Sequence, residues 1–119
     1  VGVFRDEAGL VCALKKMNVL REEYNKASIS DKSLVWNMEL QHYLELGNML
    51  TSAITTIQSA LWRLESRGSH WRKDHPEKDQ KFYGHTMCRD SSDVGVVGLR
   101  QIRMSVENVG FYQPSNRNY

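Results

Sequence analysis

The stretch NMELQHYLELGNMLTSAITTIQSALWRLES, residues 37–66, decides the fold because its apolar side chains recur every three or four residues. This spacing places side chains on one face of an α-helix. Asn37 can cap the first turn, since its side-chain oxygen accepts from a free backbone amide there. The pattern therefore predicts a long helix from about Asn37 to about Ser66. Its apolar face comprises Leu40, Tyr43, Gly47, Leu50, Ile54, Ile57, Leu61 and Leu64.

A second apolar stripe runs beside the first on this helix. The two stripes together are wider than the face that one antiparallel neighbour covers. We therefore expect a third element to cover the remainder. The second stripe comprises Leu46, Met49, Ala53 and Ala60.

An earlier helix is predicted from Asp6, a plausible N-cap, to about Ala27. The segment KASISDKS, residues 26–33, is rich in turn-forming Ser and Asp and joins the two helices. The two helices are thus expected to be antiparallel. The apolar stripe of the first helix comprises Leu10, Ala13 or Leu14, Met17, Leu20 and Tyr24.

Beyond the helices the pattern changes to short β-favouring pieces. Gly68 is predicted to end the long helix, and Pro76 follows it. The pieces HTMCR, VGVV and LRQIRMSV predict a small β-hairpin or meander before a polar tail. The fold class is therefore mainly α in a single domain. A helical hairpin occupies residues 1–67, and a loop, short strands and a tail occupy residues 68–119.

Composition excludes several classes of function. The chain carries 16 Lys plus Arg against 14 Asp plus Glu, a net charge of +2, so a nucleic-acid partner has no electrostatic support. Cys12 and Cys88 are far apart and are read as reduced thiols, so neither an iron–sulfur cluster nor a cysteine zinc site is expected. No apolar run reaches the length of a membrane span. Because the sequence begins at Val1 rather than Met, its N-terminus is expected to be either processed or cut from a longer chain, and we favour the cut.

The segment LESRGSHWRKDHPEKD, residues 64–79, concentrates chemistry-bearing side chains. His70, Asp74, His75 and His85 lack a metal-ligand spacing, so no metal site is expected. Glu65 with His70 could act as an acid–base pair, but no nucleophile or phosphate-binding motif accompanies them.

Two readings of the charged residues in this segment remain open. Glu65, Arg67, Arg72 and Asp74 are either a solvated, salt-bridged helix end or a docking surface. Docking would use aromatic anchors, for which Trp62, Trp71 and Tyr83 are the candidates.

The string ESRGSHWRKDHP resembles the signature E-S-R-G-x-H-x-R-x-D-x-P of the flavoprotein subunits of succinate dehydrogenase and fumarate reductase. Further pieces match the family in the same order, so the resemblance spans essentially all of the chain. These pieces are GVFR at residues 2–5, VWNMEL at 35–40, LELGNML at 44–50, His85-Thr86, and Pro114, Arg117 and Tyr119. The departures from the family's pattern are Trp71, Lys73, His75 and Gly84. The ending at Tyr119 favours succinate dehydrogenase, with fumarate reductase and a non-enzymatic helical adaptor as alternatives.

The resemblance implies a flavoprotein that oxidises succinate to fumarate with FAD and passes electrons to an iron–sulfur subunit. The family's catalytic and FAD-binding residues match no position here, so this chain alone is expected to be inactive and to bind no cofactor. The family has a further helix before GVFR, so the bundle, similar to a spectrin repeat, is expected to lack most of its first helix.

The resemblance also implies partners and a location. The partners are the flavin-binding domain of the same subunit, the iron–sulfur subunit and an assembly factor for flavin attachment. The uncovered second stripe is expected to drive self-association with a second copy of the chain, or to leave the chain loosely packed. The location is the cytoplasmic face of the bacterial inner membrane, or the matrix side in mitochondria, as a peripheral subunit. The candidate interdomain docking residues are Glu65, Ser66, Arg67, His70, Arg72, Asp74, His85, Arg117 and Tyr119.

Overall fold

The computed structural model of the chain describes residues 2–82, 85–89 and 96–100, with Thr86 the one side chain described beyond residue 82. The described elements are two helices, four short strands and a 3-10 turn. In chain order they are β1 (Phe4–Arg5), α1 (Glu7–Lys26), α2 (Met38–Trp62), β2 (Trp71–Arg72), the 3-10 turn Gln80–Phe82, β3 (His85–Arg89) and β4 (Val96–Arg100). The predicted mainly helical class is confirmed.

Both helices begin at the predicted caps. The Asp6 carboxylate accepts from the Gly9 amide at 2.7 Å, and the Asn37 side-chain oxygen accepts from the Leu40 amide at 2.8 Å. Each bond satisfies one amide that has no partner within its helix. α1 ends at Lys26, close to the predicted Ala27.

The far end of α2 was predicted wrongly. The helix ends at Trp62, and Arg63 already has an extended backbone. The amide of Ser66, predicted as the end of the helix, instead donates to the Glu77 carbonyl at 3.0 Å. Leu64, placed by its spacing on the apolar face, is therefore outside the helix and exposed.

The core lies between the two helices, near the start of α1 and the end of α2. Leu10 of α1 packs with Ile57 and Ala60 of α2, all of them buried. Ala13, Leu14, Met17 and Leu61 pack around them. Leu50 and Ile54 are buried farther along α2. Because the start of α1 meets the end of α2, the helices are antiparallel as predicted.

The other end of the helical pair is closed by aromatic packing. The rings of Tyr24 and Tyr43 stack with their centroids 4.4 Å apart. A Cβ added at Gly47 would lie 2.5 Å from the Tyr24 hydroxyl oxygen, so this position needs the absence of a side chain. Gly47 thus leaves room for the Tyr24 side chain against α2.

Parts of the predicted apolar stripes are exposed. Leu20 of α1 and Leu46 and Met49 of α2 keep much of their surface accessible. For Leu20 the stripe prediction is wrong, because burial along α1 centres on Leu10. Leu46 and Met49 belong to the second stripe of α2, and Ala60 of that stripe is buried.

The strands form two small sheets. β1 pairs in parallel with β2, with Phe4 opposite Trp71 and Arg5 opposite Arg72, and nothing in the sequence pattern predicted this pairing. β3 and β4 pair antiparallel, with His85 opposite Arg100, which confirms the predicted hairpin.

Across the described residues, neither helix combines the length and the apolar character that crossing a bilayer requires.

Candidate functional site

The chain reverses direction beyond α2 in a tight turn at Gly68 and Ser69. The Arg67 amide donates to the His70 carbonyl at 2.8 Å, and the His70 amide donates back to the Arg67 carbonyl at 3.0 Å. Gly68 has a φ of 59°, a conformation that glycine adopts readily. The prediction that Gly68 ends the helix is therefore wrong, because its left-handed backbone serves this turn. We call residues 63–79, which fold back over the end of α2, the polar turn.

Arg72 is charged and yet fully buried, with 0% of its surface exposed. One guanidinium nitrogen donates to the carbonyl oxygens of Leu61 and Ala60, at 3.1 Å and 3.3 Å. Carbonyls in the last turn of a helix have no partner within it, and a cation is favourable there. Arg72 therefore caps α2 from inside the chain.

Asp74 completes this cap and connects it to α1. Its carboxylate accepts two hydrogen bonds from Arg72, one of them from Nε at 2.9 Å, and a third from the Glu7 amide at 3.0 Å. The bonds from Arg72, helped by the Glu7 amide, outweigh partial burial and hold the pKa of Asp74 well below its usual range. The pair thus joins the end of α2 to the start of α1.

Glu65 is the second fully buried charge, with 0% exposed. Its carboxylate accepts from Arg63 Nη1 at 2.5 Å, from Arg67 Nε at 2.9 Å and from the Asp79 amide at 2.9 Å. Burial by itself would raise the pKa of Glu65, but the bonds from Arg67, Asp79 and Arg63 outweigh it, and the pKa is lowered. Glu65 therefore remains a carboxylate at the centre of the polar turn.

Ser66 connects the two halves of the polar turn. Its hydroxyl donates to the His75 carbonyl at 2.7 Å and accepts from the Arg72 amide at 2.8 Å. Its own amide donates to the Glu77 carbonyl. Because these bonds use both the donor and the acceptor of the buried hydroxyl, Ser66 has a structural role inside the turn.

His70 is held in one tautomer by its two partners. Arg5 Nη1 donates to Nδ1 at 3.0 Å, so Nε2 carries the proton that points to the Arg63 carbonyl at 3.2 Å. Burial, together with the nearby charges of Arg5, Arg63 and Arg72, lowers the pKa of His70 against the opposing effect of the Arg63 carbonyl. His70 is therefore neutral and fixes the N-terminal strand β1 to the polar turn.

Arg63 connects the polar turn to the β-hairpin. Its guanidinium donates to the Thr86 hydroxyl at 3.0 Å and to the Phe82 carbonyl at 2.8 Å, besides its bond to Glu65. The Trp62 ring packs edge-on against Phe82, with centroids 5.2 Å apart. The end of α2, the polar turn and β3 thus form one connected unit.

This arrangement does not form the reactive groupings considered from the sequence. Glu65 accepts from the guanidinium groups of Arg63 and Arg67, whereas the His70 ring contacts Arg5 and the Arg63 carbonyl, so the structure does not join the two as an acid–base pair. Within the described residues, no group of three metal-ligating side chains occurs. Every buried side-chain nitrogen or oxygen in the described part of the chain has a hydrogen-bond partner. The hydrogen bonds and ion pairs of the polar turn thus join the end of α2 to the start of α1 and to the strands.

The candidate docking residues differ in how much of their surface is exposed. Glu65, Ser66 and Arg72 are buried, whereas Arg67, His70 and Asp74 keep part of their surface accessible, and a docking role for any of them stays a prediction. The aromatic anchor Trp71 is exposed, and Trp62 packs on Phe82. The candidates that lie outside the described side chains are Tyr83, His85, Arg117 and Tyr119.

Sequence reasoning missed three residues of this site, Arg5, Arg63 and Asp79. The signal for Arg63 was its position at the end of the long helix, where a cation is favourable. Arg5 and the Asp79 amide gave no local signal, because their partners come from distant parts of the chain.

Comparison with known proteins decides the family. The model of the family described as "Fumarate reductase flavoprotein C-term" matches residues 1–119. The chain belongs to this family.

Relatives in the fumarate reductase flavoprotein family carry two names. The succinate dehydrogenase flavoprotein subunit of Rickettsia bellii is 40% identical over 121 residues, which cover 98% of this chain and 20% of the relative. The fumarate reductase flavoprotein subunit of Mycobacterium tuberculosis is 41% identical over 93 residues, covering 77% of this chain and 16% of the relative. Because both names occur among the relatives, the names do not favour fumarate reductase over succinate dehydrogenase.

A solved structure of the same family agrees with the fold. E. coli quinol fumarate reductase aligns with a TM-score of 0.80 at 30% identity, covering 87% of this chain and 18% of that one. The chain thus spans about a fifth of the length of the proteins it matches. The resemblance read from the E-S-R-G string is confirmed.

Proposed function

We propose that this chain is the C-terminal helical module of a flavoprotein subunit that oxidises succinate to fumarate and passes electrons to an iron–sulfur subunit. The observation that carries the proposal is the family match over residues 1–119, together with relatives named as succinate dehydrogenase and fumarate reductase subunits. All of these relatives are oxidoreductases by name. The whole subunit's activity is proposed for a complete polypeptide, of which this chain is one domain.

By the family resemblance, no position of this chain matches the family's FAD-binding residues. Every buried side-chain nitrogen or oxygen in the described part of the chain already has a hydrogen-bond partner. We therefore propose that FAD is bound by the part of the subunit outside this chain. The proposed role of this module is then to pack as a rigid domain against the flavin-binding part of the subunit.

The docking role is assigned to the accessible members of the polar turn and to the tail. Arg67 donates three bonds to Glu65 through Nε and Nη2, and the 30% of its side chain that is exposed is proposed to contact the partner. His85, Arg117 and Tyr119 are proposed for the same docking role. The proposed partners are the flavin-binding domain of the same subunit, the iron–sulfur subunit and an assembly factor for flavin attachment. In the complete subunit, Arg67→Ala should weaken domain docking or flavin attachment, and wild-type levels of both would contradict this role.

The location proposed is peripheral, at the cytoplasmic face of the bacterial inner membrane or at the matrix side in mitochondria. This follows from the iron–sulfur subunit and the peripheral location that the family resemblance implies.

Self-association of the isolated chain is a separate proposal. Leu46 and Met49 expose apolar surface along α2, which a second copy can bury. Analytical ultracentrifugation at rising concentration should show a dimer or larger species. A strictly monomeric, compact species would refute it.

The test of the proposed function compares the isolated chain with the complete subunit. FAD and succinate are added to each, and flavin absorbance and reduction of an artificial dye are measured. We expect both signals from the complete subunit and neither from the isolated chain. Bound flavin on the isolated chain, or a complete subunit without succinate oxidation, would contradict the proposal.

A further inference from the structure

The loop that enters α2 carries a group of exposed apolar side chains. Leu34 is 90% exposed, Val35 75%, Trp36 92% and Met38 52%. We call residues 34–38 the apolar tip. Large apolar groups adjacent in sequence and almost fully exposed indicate an interaction site more often than scattered ones do.

The apolar tip is held in place by a frame of hydrogen bonds. The Asn37 side-chain amide donates to the carbonyls of Asp31 and Ser33, at 2.9 Å and 2.8 Å, while its oxygen caps α2. The Ser33 amide donates to the Asp31 carboxylate at 2.8 Å. Trp36 has a φ of 56°, which is unusual for a large residue. The tip is therefore preorganised, and fixing it against a partner costs little conformational entropy.

The frame extends into the first turn of α2. The two oxygens of the Glu39 carboxylate accept from the amides of Ser30 and Asp31, at 2.9 Å and 2.7 Å. The hydrogen bond from the Asp31 amide, with a smaller effect from the Ser30 amide, lowers the pKa of Glu39. The Glu39 carboxylate is therefore ionised at neutral pH and keeps both bonds. The linker is thus tied to the first turn of α2.

The position of the tip separates it from the polar turn. α2 has 25 residues, and at 1.5 Å per residue it is roughly 37 Å long. The tip lies at its start and the polar turn at its end. The buried charges of the polar turn, Glu65 and Arg72, are bonded within the chain, whereas the tip is apolar surface that the described part of the chain leaves exposed.

We infer that the apolar tip is the anchor by which this module docks on the flavin-carrying body of its own subunit, in an apolar pocket that takes the Trp36 ring. The inference rests on the proposed function. The relatives are about five times as long as this chain, since it covers 16% to 20% of them. A body of that size can reach both ends of α2.

The contact area favours a tethered partner over a second copy. A buried Trp contributes about 150–250 Å², so Trp36 with three smaller neighbours stays below the ~800 Å² per partner of stable complexes between separate chains. Within one polypeptide the effective concentration of the partner surface is high, and a small contact suffices.

The experiment is hydroxyl-radical footprinting of the complete subunit, read by mass spectrometry. Oxidation of Trp36 is compared between the folded subunit and the same subunit unfolded in denaturant. We expect oxidation to be several-fold slower in the folded subunit, at all protein concentrations. Oxidation as fast as in the unfolded state would overturn the inference. So would protection that requires high concentration, or that appears only when the iron–sulfur subunit is added.

Variants of the complete subunit give a second readout. Trp36→Ala and Leu34→Ala should each speed the proteolytic release of this module several-fold, because the docked tip loses its contacts. Leu44→Ala is the matched control, since Leu44 is an exposed apolar residue of α2 that belongs to neither apolar stripe. Release unchanged in both tip variants, or accelerated by Leu44→Ala alone, would overturn the inference.

Flavin content and succinate oxidation are measured on the same samples and test the proposed function separately. An active subunit with Trp36 freely oxidised overturns the tip as anchor and leaves the function standing. A flavin-free, inactive polypeptide with Trp36 protected overturns the function and supports the contact.

Discussion

Arg72 and Asp74 form one ion pair that serves two helix ends. Arg72 donates to the Leu61 carbonyl at the end of α2, and Asp74 accepts from the Glu7 amide at the start of α1. The cation thus lies at a helix C-terminus and the anion at a helix N-terminus, where each is favoured. The two residues therefore lock the antiparallel helices at the end that holds the core.

Asp74→Asn should destabilise the chain and change its response to acid. Because hydrogen bonds from Arg72 lower the pKa of Asp74, its contribution is complete above its ordinary pKa of about 4 and is lost as the pH falls below that. The wild-type chain should therefore lose stability below about pH 4 more steeply than the variant does. Urea unfolding between neutral pH and pH 3 measures this. Glu77→Gln, at an exposed carboxylate of the same turn, is the control and should match the wild type.

Glu65→Gln should cost more than any single surface charge. The variant leaves Arg63 and Arg67 in a largely closed site without their shared anion, and breaking such a buried network typically costs about 3–5 kcal/mol. The free energy of unfolding, from urea titration at pH 7, gives the value. Glu22→Gln, at an exposed carboxylate of α1, should change it little. Equal stabilities of the two variants would show that Glu65 does not organise the turn.

Local signals in the sequence predicted the starts of both helices but not the polar turn. The caps Asp6 and Asn37 depend on bonds to amides three residues away, so the sequence nearby is sufficient. Gly68 was misread because a helix end and a hairpin turn both need the same left-handed backbone. Only the fold of residues 69–79 distinguishes the two uses.

The burial of Glu65 and Arg72 was beyond prediction for a different reason. Charged residues are seldom fully buried, and they are so only when every polar atom finds a partner. Besides charged side chains, those partners here include the carbonyls of Ala60 and Leu61 and the amide of Asp79, which carry no side-chain signature. The family resemblance located the segment, but only coordinates show that its charges face each other.

His70 should make the chain less stable in mild acid. Burial and the charges of Arg5, Arg63 and Arg72 lower the pKa of His70, so the folded state favours the neutral ring more than the unfolded state does. The contribution is therefore complete above the ordinary pKa of about 6.5 and declines as the pH falls below it.

The His70 prediction is measured by unfolding between pH 8 and pH 5. The variant His70→Gln, which cannot gain a proton, should show a flatter profile than the wild type over this range. His42→Gln is the control, because His42 is exposed on α2 and should leave the wild-type slope in place. Identical slopes for His70→Gln and the wild type would contradict the assignment.

Gly47→Ala should destabilise the chain although alanine is the better helix former. The added Cβ would lie 2.5 Å from the Tyr24 hydroxyl oxygen and 2.8 Å from the ring carbon that carries it, so the stacked tyrosine must move. Overpacking of this kind costs about 1–3 kcal/mol, against a helix-propensity gain of about 0.8–1 kcal/mol. Thermal and urea unfolding should therefore show a net loss, whereas Ser52→Ala, on the exposed side of α2, should be neutral or stabilising. In a Tyr24→Leu background, Gly47→Ala should lose its cost, because the group that the Cβ meets is gone. A cost that persists in that background would place its origin in the helix itself rather than in the contact with α1.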